Sequence, residues 1–163
     1  MFADDFERGG TNNPPDQIGR GWRTNAHEPW SLAPGQTQIR SGAVEVTPAD
    51  GMLSKVIVYR YTHYFDGRVE FRFKLPGESD QVGLVIADNS LRDVHAGDVL
   101  SVRMRAGEII MADMVSGAFD PEIHRRKQLQ QLTSQDRDQI SSCRKTIPAN
   151  IEVGAWNDIA IET

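Results

Sequence analysis

Hydrophobic and polar residues alternate most strictly between Arg68 and Leu75. Val69, Phe71, Phe73 and Leu75 fall on one side, Arg68, Glu70, Arg72 and Lys74 on the other. Successive side chains of a strand point to opposite faces of its sheet, so this period of two predicts a strand with one buried face. Pro76–Asp80 closes it. Val82–Ala87 is apolar on both sides and predicts a central strand, with Gly83 and Ala87 leaving room above one face. Val99–Arg105 and Glu108–Met114 predict a hairpin about Ala106-Gly107.

Upstream, Gln38–Arg40 and Ala43–Thr47 alternate about Ser41-Gly42, a tight hairpin turn, and Pro48-Ala49-Asp50-Gly51 carries turn chemistry. Met52–Tyr61 is a further β-rich run. Residues 9–35 predict a long loop with a short strand around Trp22. Downstream the pattern changes. Pro121–Leu132 predicts the start of a helix, and Thr133-Ser134-Gln135-Asp136 a capping box opening a second, shorter one. Strand character returns at Lys145–Pro148 and again from Ala155 to Glu162. The last run has no terminator, which predicts one or two further C-terminal strands. Eight to ten strands with a helical insertion near 120–142 predict an all-β fold, a two-sheet antiparallel jelly-roll sandwich.

Composition narrows the picture. At 163 residues the chain fits one domain, residues 1–163, since single cores commonly span about 100–200 residues. The formal net charge of -5 argues against nucleic acid as a partner, because phosphate binding wants a basic face. Arg125, Arg126 and Lys127, the only basic cluster, read as a solvated face. No run reaches the roughly 18–20 apolar residues of a membrane span. The acidic start, Met1-Phe2-Ala3-Asp4-Asp5, does not read as a signal peptide. Cys143 is alone, so no intrachain disulfide forms. Its neighbours Arg144 and Lys145 would activate a thiolate, but the plain reading, an incidental cysteine, is the preferred one.

Several short pieces then read together: Phe2-Ala3-Asp4-Asp5-Phe6-Glu7, Gly19-Arg20-Gly21-Trp22, Ser41-Gly42-Ala43-Val44, Phe65–Phe73 and Val153-Gly154-Ala155-Trp156-Asn157. The chain resembles the concanavalin A-like sandwich group that includes the 3-keto-disaccharide hydrolase-like domains, often labelled family 16 glycoside hydrolases. Asp93-Val94-His95-Ala96-Gly97-Asp98, with the helical insertion before Trp156, resembles a planctomycete-type sub-group. The resemblance implies a secreted or periplasmic bacterial protein that binds or cleaves a carbohydrate, and final strands with an Asp-Gly hairpin after Thr163. Two signatures are missing. The Glu-x-Asp-x-x-Glu of family 16 enzymes is absent, and Asp88-Asn89-Ser90-Leu91 stands where an Asn-Ser-Gly would be expected.

Glycoside hydrolysis needs two carboxyl groups across the sugar, about 5–5.5 Å apart for retention and about 6.5–9.5 Å for inversion. Counting alternation on a concave face gives Glu70, Asp88 and His95 as catalytic candidates. Arg72, Arg103, Asp113 and, in the loop His27–Trp30, Trp30 are the substrate-binding candidates. The plain alternative for Glu70, Arg72 and Lys74 is a solvated face of cross-strand ion pairs. Trp22 and Trp156 read as core, His63 and His124 as surface. No cofactor is expected, though Asp4, Asp5 and Asp158 could contribute to a calcium site. Two other function classes stay open: a non-catalytic carbohydrate-binding module, and a structural or interaction module. An unpaired edge strand also raises the prospect of a dimer.

Overall fold

The computed structural model describes residues 2–7, 17–24, 37–47, 56–62 and 66–162. The protein is mostly β, with several antiparallel sheets and two helices, and divides into two compact units, Met1–Phe65 and Asp66–Thr163.

In the first unit, β1 (Gln17–Gly19), β2 (Trp22–Thr24) and β5 (Val58–Arg60) form one sheet, while β3 (Thr37–Arg40) and β4 (Ala43–Val46) form a hairpin. Ser41 and Gly42 both take positive φ, as a two-residue hairpin turn of matching twist requires. Aromatic packing surrounds Trp22, whose ring lies 5.5 Å from Phe6 and 6.1 Å from Phe2. Its indole N–H donates to Asp4 at 3.1 Å, and the Arg60 guanidinium covers the Phe2 ring at 3.7 Å. An amphipathic ring thus buries its apolar body while its polar edge stays paired. The Pro48–Gly51 turn and residues 52–55 of the expected Met52–Tyr61 strand lie outside the described residues.

The second unit holds the main core. β6 (Arg68–Lys74) pairs with β11 (Trp156–Glu162), and β7 (Gln81–Ala87), β8 (Asp98–Arg105), β9 (Glu108–Asp113) and β10 (Arg144–Pro148) form a four-stranded sheet in the order β10-β9-β8-β7. Phe73 and Ile161 from the first sheet, with Leu75 just past the end of β6, meet Val102 and Met104 from the second, Met104 being fully buried. Phe71, Leu84, Leu100, Ile109, Met111 and Ile159 pack around them. The alternation of β6 is thereby explained: its odd-numbered residues from Val69 face this core and its even-numbered ones face water.

β7 differs from expectation. It is the last described strand of its sheet rather than a central one. Gln81, Gly83, Val85 and Ala87 make up its exposed face, Val85 with 49% of its surface accessible. Apolar residues on both sides of this strand therefore do not mean burial on both sides.

Between β9 and β10 the chain makes the expected helical excursion, α1 (Pro121–Gln128) and α2 (Ser134–Ser142). Asp120 caps α1 by accepting from the Glu122 and Ile123 amides. Thr133 and Asp136 form a reciprocal capping box on α2. The basic cluster is not simply solvated. Arg126 grips Asp136 through two hydrogen bonds, at 2.9 and 2.7 Å, and Asp136 is 4% exposed.

Candidate functional site

β6 hydrogen-bonds to β11 and not to β7, and this divides the candidate residues. Phe71 and Phe73 point from β6 into the core, and Val102 and Met104 point from β8 into the same core. Side-chain alternation therefore sends Glu70 and Arg72 outward on one side and Arg103 outward on the other. The single concave-face site expected from the sequence is not assembled: Glu70 and Arg72 stand across the core from Arg103.

The outer face of β6 and β11 is a ladder of ion pairs. Arg68 bonds Glu70 at 2.7 Å and Glu162 at 2.6 Å, holding two carboxylates on one guanidinium. Those hydrogen bonds, to Glu70 first and then Glu162, push the Arg68 pKa upward. Arg72 pairs with Asp158 at 3.1 Å, its directly opposite residue in the register, and its guanidinium lies 5.6 Å from the Trp156 ring. The cross-strand ion pairs fit the plain reading of this face. Trp156 is a correction: read as core, it is 50% exposed, because β11 opens with its outward phase at this residue.

Among the described residues two open depressions lie along this part of the molecule. One, of about 440 Å3, is lined by Arg68, Glu70, Arg72, Asp158 and Ala160. The other, of about 350 Å3, sits along β11 and the loop before it, with Trp156, Asp158, Asn150 and Glu152 beside the apolar Phe73, Ile109 and Ile151. Asn157 belongs to that loop's framework, since its amide bonds Glu152 and Ala155.

The structure does gather Asp88, His95 and Asp113 at one end of the four-stranded sheet. The Asp88 amide donates to the Gly97 carbonyl at 2.8 Å, and the Met114 amide to that of Val99 at 3.0 Å, closing this end. A methyl group at Gly97 would run into the Asp88 carbonyl, and both Ala96 and Gly97 take positive φ. Asp88 accepts from the Ser90 amide and Asp113 from that of Ser116. Hydrogen bonds from Ser90 lower the carboxyl pKa of Asp88, and those from Ser116 lower that of Asp113. Both carboxylates are thus held ionised in local turns, the wrong state for a general acid.

Three neighbours were not singled out in the sequence as site residues. His95 stacks on His124 with centroids 4.9 Å apart and 25° between planes, and packs 4.9 Å from the Phe119 ring. His124 is partly buried rather than a plain surface residue, and burial, then His95 and Lys127, lower its pKa, against the pull of the Ala118 carbonyl. Asp98 is half-buried, and burial raises its pKa, partly offset by the His95 charge. Asp98 is thus a carboxyl group near His95 that retains its proton more readily, but both hollows lie elsewhere. No spacing rule links residues 95, 98, 119 and 124; only the strained loop and the helical excursion bring them together.

Trp30 and His63 lie outside the described residues. Asp4 is 1% exposed in its side chain and is engaged inside its own unit, by the Trp22 indole, the Phe6 amide and Arg20. Among the described residues no group of three or more His, Cys, Asp or Glu is placed to hold a metal ion, and no helix is long and apolar enough to cross a membrane. Cys143 is partly buried, with Gly117 packed close against it. Comparison of the chain with protein-family models, curated proteins and solved structures finds no significant match in any of the three.

Proposed function

We propose that the chain is a carbohydrate-binding β-sandwich that holds a glycan without cleaving it. The observation that carries this reading is Trp156, an indole half exposed on the outer face of β11 and bordered by the Arg72–Asp158 pair. A flat apolar ring beside fixed charged donors and acceptors suits a pyranose, whose C–H face stacks on the ring while its hydroxyls hydrogen-bond at the edge.

Cleavage is disfavoured by the placement of the carboxyl groups. Glu70 is tied to Arg68 together with Glu162, hydrogen bonds from Ser90 and Ser116 lower the pKa of Asp88 and Asp113, and Asp98, whose pKa burial raises, lines neither of the two hollows. A glycosidase requires a protonated acid facing a second carboxylate across the bond. The accompanying fold reading is a jelly-roll sandwich of the concanavalin A-like group, in the secreted or periplasmic setting where such modules meet glycans.

A glycan array followed by isothermal titration tests the reading. The chain is expected to retain at least one glycan class, and Trp156→Ala to weaken that binding about tenfold, the equivalent of about 1.4 kcal/mol. Absence of any retained glycan, or full affinity in the Trp156→Ala chain, overturns it.

A further inference from the structure

The outer face of β6 and β11 carries the cations Arg68, Arg72 and Lys74 and the carboxylates Glu70, Asp158 and Glu162. Their pairing is uneven. Arg68 holds both Glu70 and Glu162, and Arg72 holds Asp158. Lys74 is left exposed, with no carboxylate partner among the described residues. In the strand register it stands directly opposite Trp156, so the two side chains leave one face with Cβ atoms about 5 Å apart. Arg72, the diagonal neighbour, has its guanidinium 5.6 Å from the same ring. The flank of the indole toward β6 is therefore built from two cations, of which only Arg72 is neutralised.

We infer that the glycan stacked on Trp156 is an acidic one, its carboxylate or sulfate group held by the Lys74 ammonium. The inference rests on the glycan-binding reading and adds the charge of the ligand to it. A sugar centred on the indole brings its edge substituents toward position 74, one cross-strand pair away. An ammonium on a flexible four-carbon stem is a compact point charge without the planar fork of a guanidinium, so it meets either anion in several orientations. Arg72 does not fill that role, because its guanidinium is already engaged with Asp158. An incoming anion completes the ladder, giving each cation of the face an anionic partner.

Two features oppose an anionic ligand, and neither removes the contact. Glu152 lines the hollow along β11 together with Trp156, but Lys74 is not part of that lining, so the acidic group of the ligand sits on the β6 side of the ring. The net charge of -5 repels anions at long range. At physiological ionic strength charges beyond about 8 Å are largely screened, which leaves the groups around the ring to decide. A neutral glycan leaves Lys74 in water and gains nothing from it.

Calorimetric titration of the full chain with matched oligosaccharides tests this: tetragalacturonate against its methyl ester, and a sulfated galactan tetrasaccharide against its desulfated form. At least one charged oligomer is expected to bind more tightly than its uncharged counterpart, and which one does so distinguishes carboxylate from sulfate. Lys74→Gln is expected to weaken that oligomer about threefold to fivefold and to leave the uncharged form unchanged, while Lys74→Arg keeps most of the affinity. Trp156→Ala weakens charged and uncharged forms alike, which reads stacking separately from charge. Equal binding of charged and uncharged forms, or a charge preference that survives Lys74→Gln, overturns the inference and leaves the glycan-binding reading standing. Retention of uncharged glycans alone on the array does the same, and an array that retains nothing removes both.

Discussion

Proton binding at His124 and Asp98 acts on stability in opposite directions. Burial, His95 and Lys127 lower the His124 pKa, so the unfolded chain takes up its proton first as pH falls. The contribution of a neutral His124 is fully present above the unfolded imidazole value of about 6.5 and is lost as pH drops from there through the lower folded value. Asp98 has its folded pKa raised, so its contribution is fully present below the unfolded carboxyl value of about 3.9. It is lost as pH rises through the folded value. Between pH 7.5 and 5.5 the histidine effect lowers stability as pH falls. The groups facing it are His95 from the strained loop, Lys127 and Gln128 from α1, and Asp98 beyond His95. Urea midpoints at pH 7.5 and pH 5.5 should therefore differ, with the acidic one lower. His124→Gln keeps a polar group near Gln128 without titrating, and is expected to narrow the gap. An unchanged gap would assign the acid sensitivity to other groups.

At the scale of elements, the helical excursion shows what local sequence can and cannot specify. Thr133 and Asp136 are three residues apart, so the capping box is readable in the sequence, and it forms. The grip of Arg126 on Asp136 spans ten residues across a turn, a contact that no periodicity announces. Arg126, with Thr133 adding hydrogen bonds, holds the Asp136 carboxyl far below the usual carboxylate range. Thr133→Ala removes the hydroxyl that accepts from the Asp136 amide and should cost about 1 kcal/mol in urea unfolding. The strands follow the same division. β6 was legible because a strict alternation with charges on one side has one solution. β7 departs from expectation because its outer face, beyond Gln81, carries the small or apolar Gly83, Val85 and Ala87 in water. Hydrophobicity reports which side chains tolerate burial, whereas pairing decides which strands lie at a sheet's edge.

Across the whole molecule, the gathering of candidate residues into one site depended on strand order, which the sequence leaves open. Consecutive strands usually neighbour one another, so placing Glu70 and Arg72 beside Asp88 and Arg103 followed the common case. β6 instead crosses to pair with β11, which places the two sets on opposite sides of the core. Trp156 departs from expectation for a related reason: its position beside a turn fits both faces of a strand, and only the register with Lys74 shows it pointing outward. Strand order also separates the effects of substitutions. Arg103→Ala and His95→Ala alter the outer face and the end of the four-stranded sheet, with no described contact to Trp156 or Arg72. Neither should change the affinity for a retained glycan by more than about twofold, whereas Arg72→Ala, which removes the cation beside the ring and frees Asp158, should weaken it several-fold. Titration of the three variants against the same glycan checks this. Loss of binding in His95→Ala with Arg72→Ala unaffected would move the glycan to the end of the four-stranded sheet. There the half-buried Asp98 and the exposed His95 would be the groups to pursue.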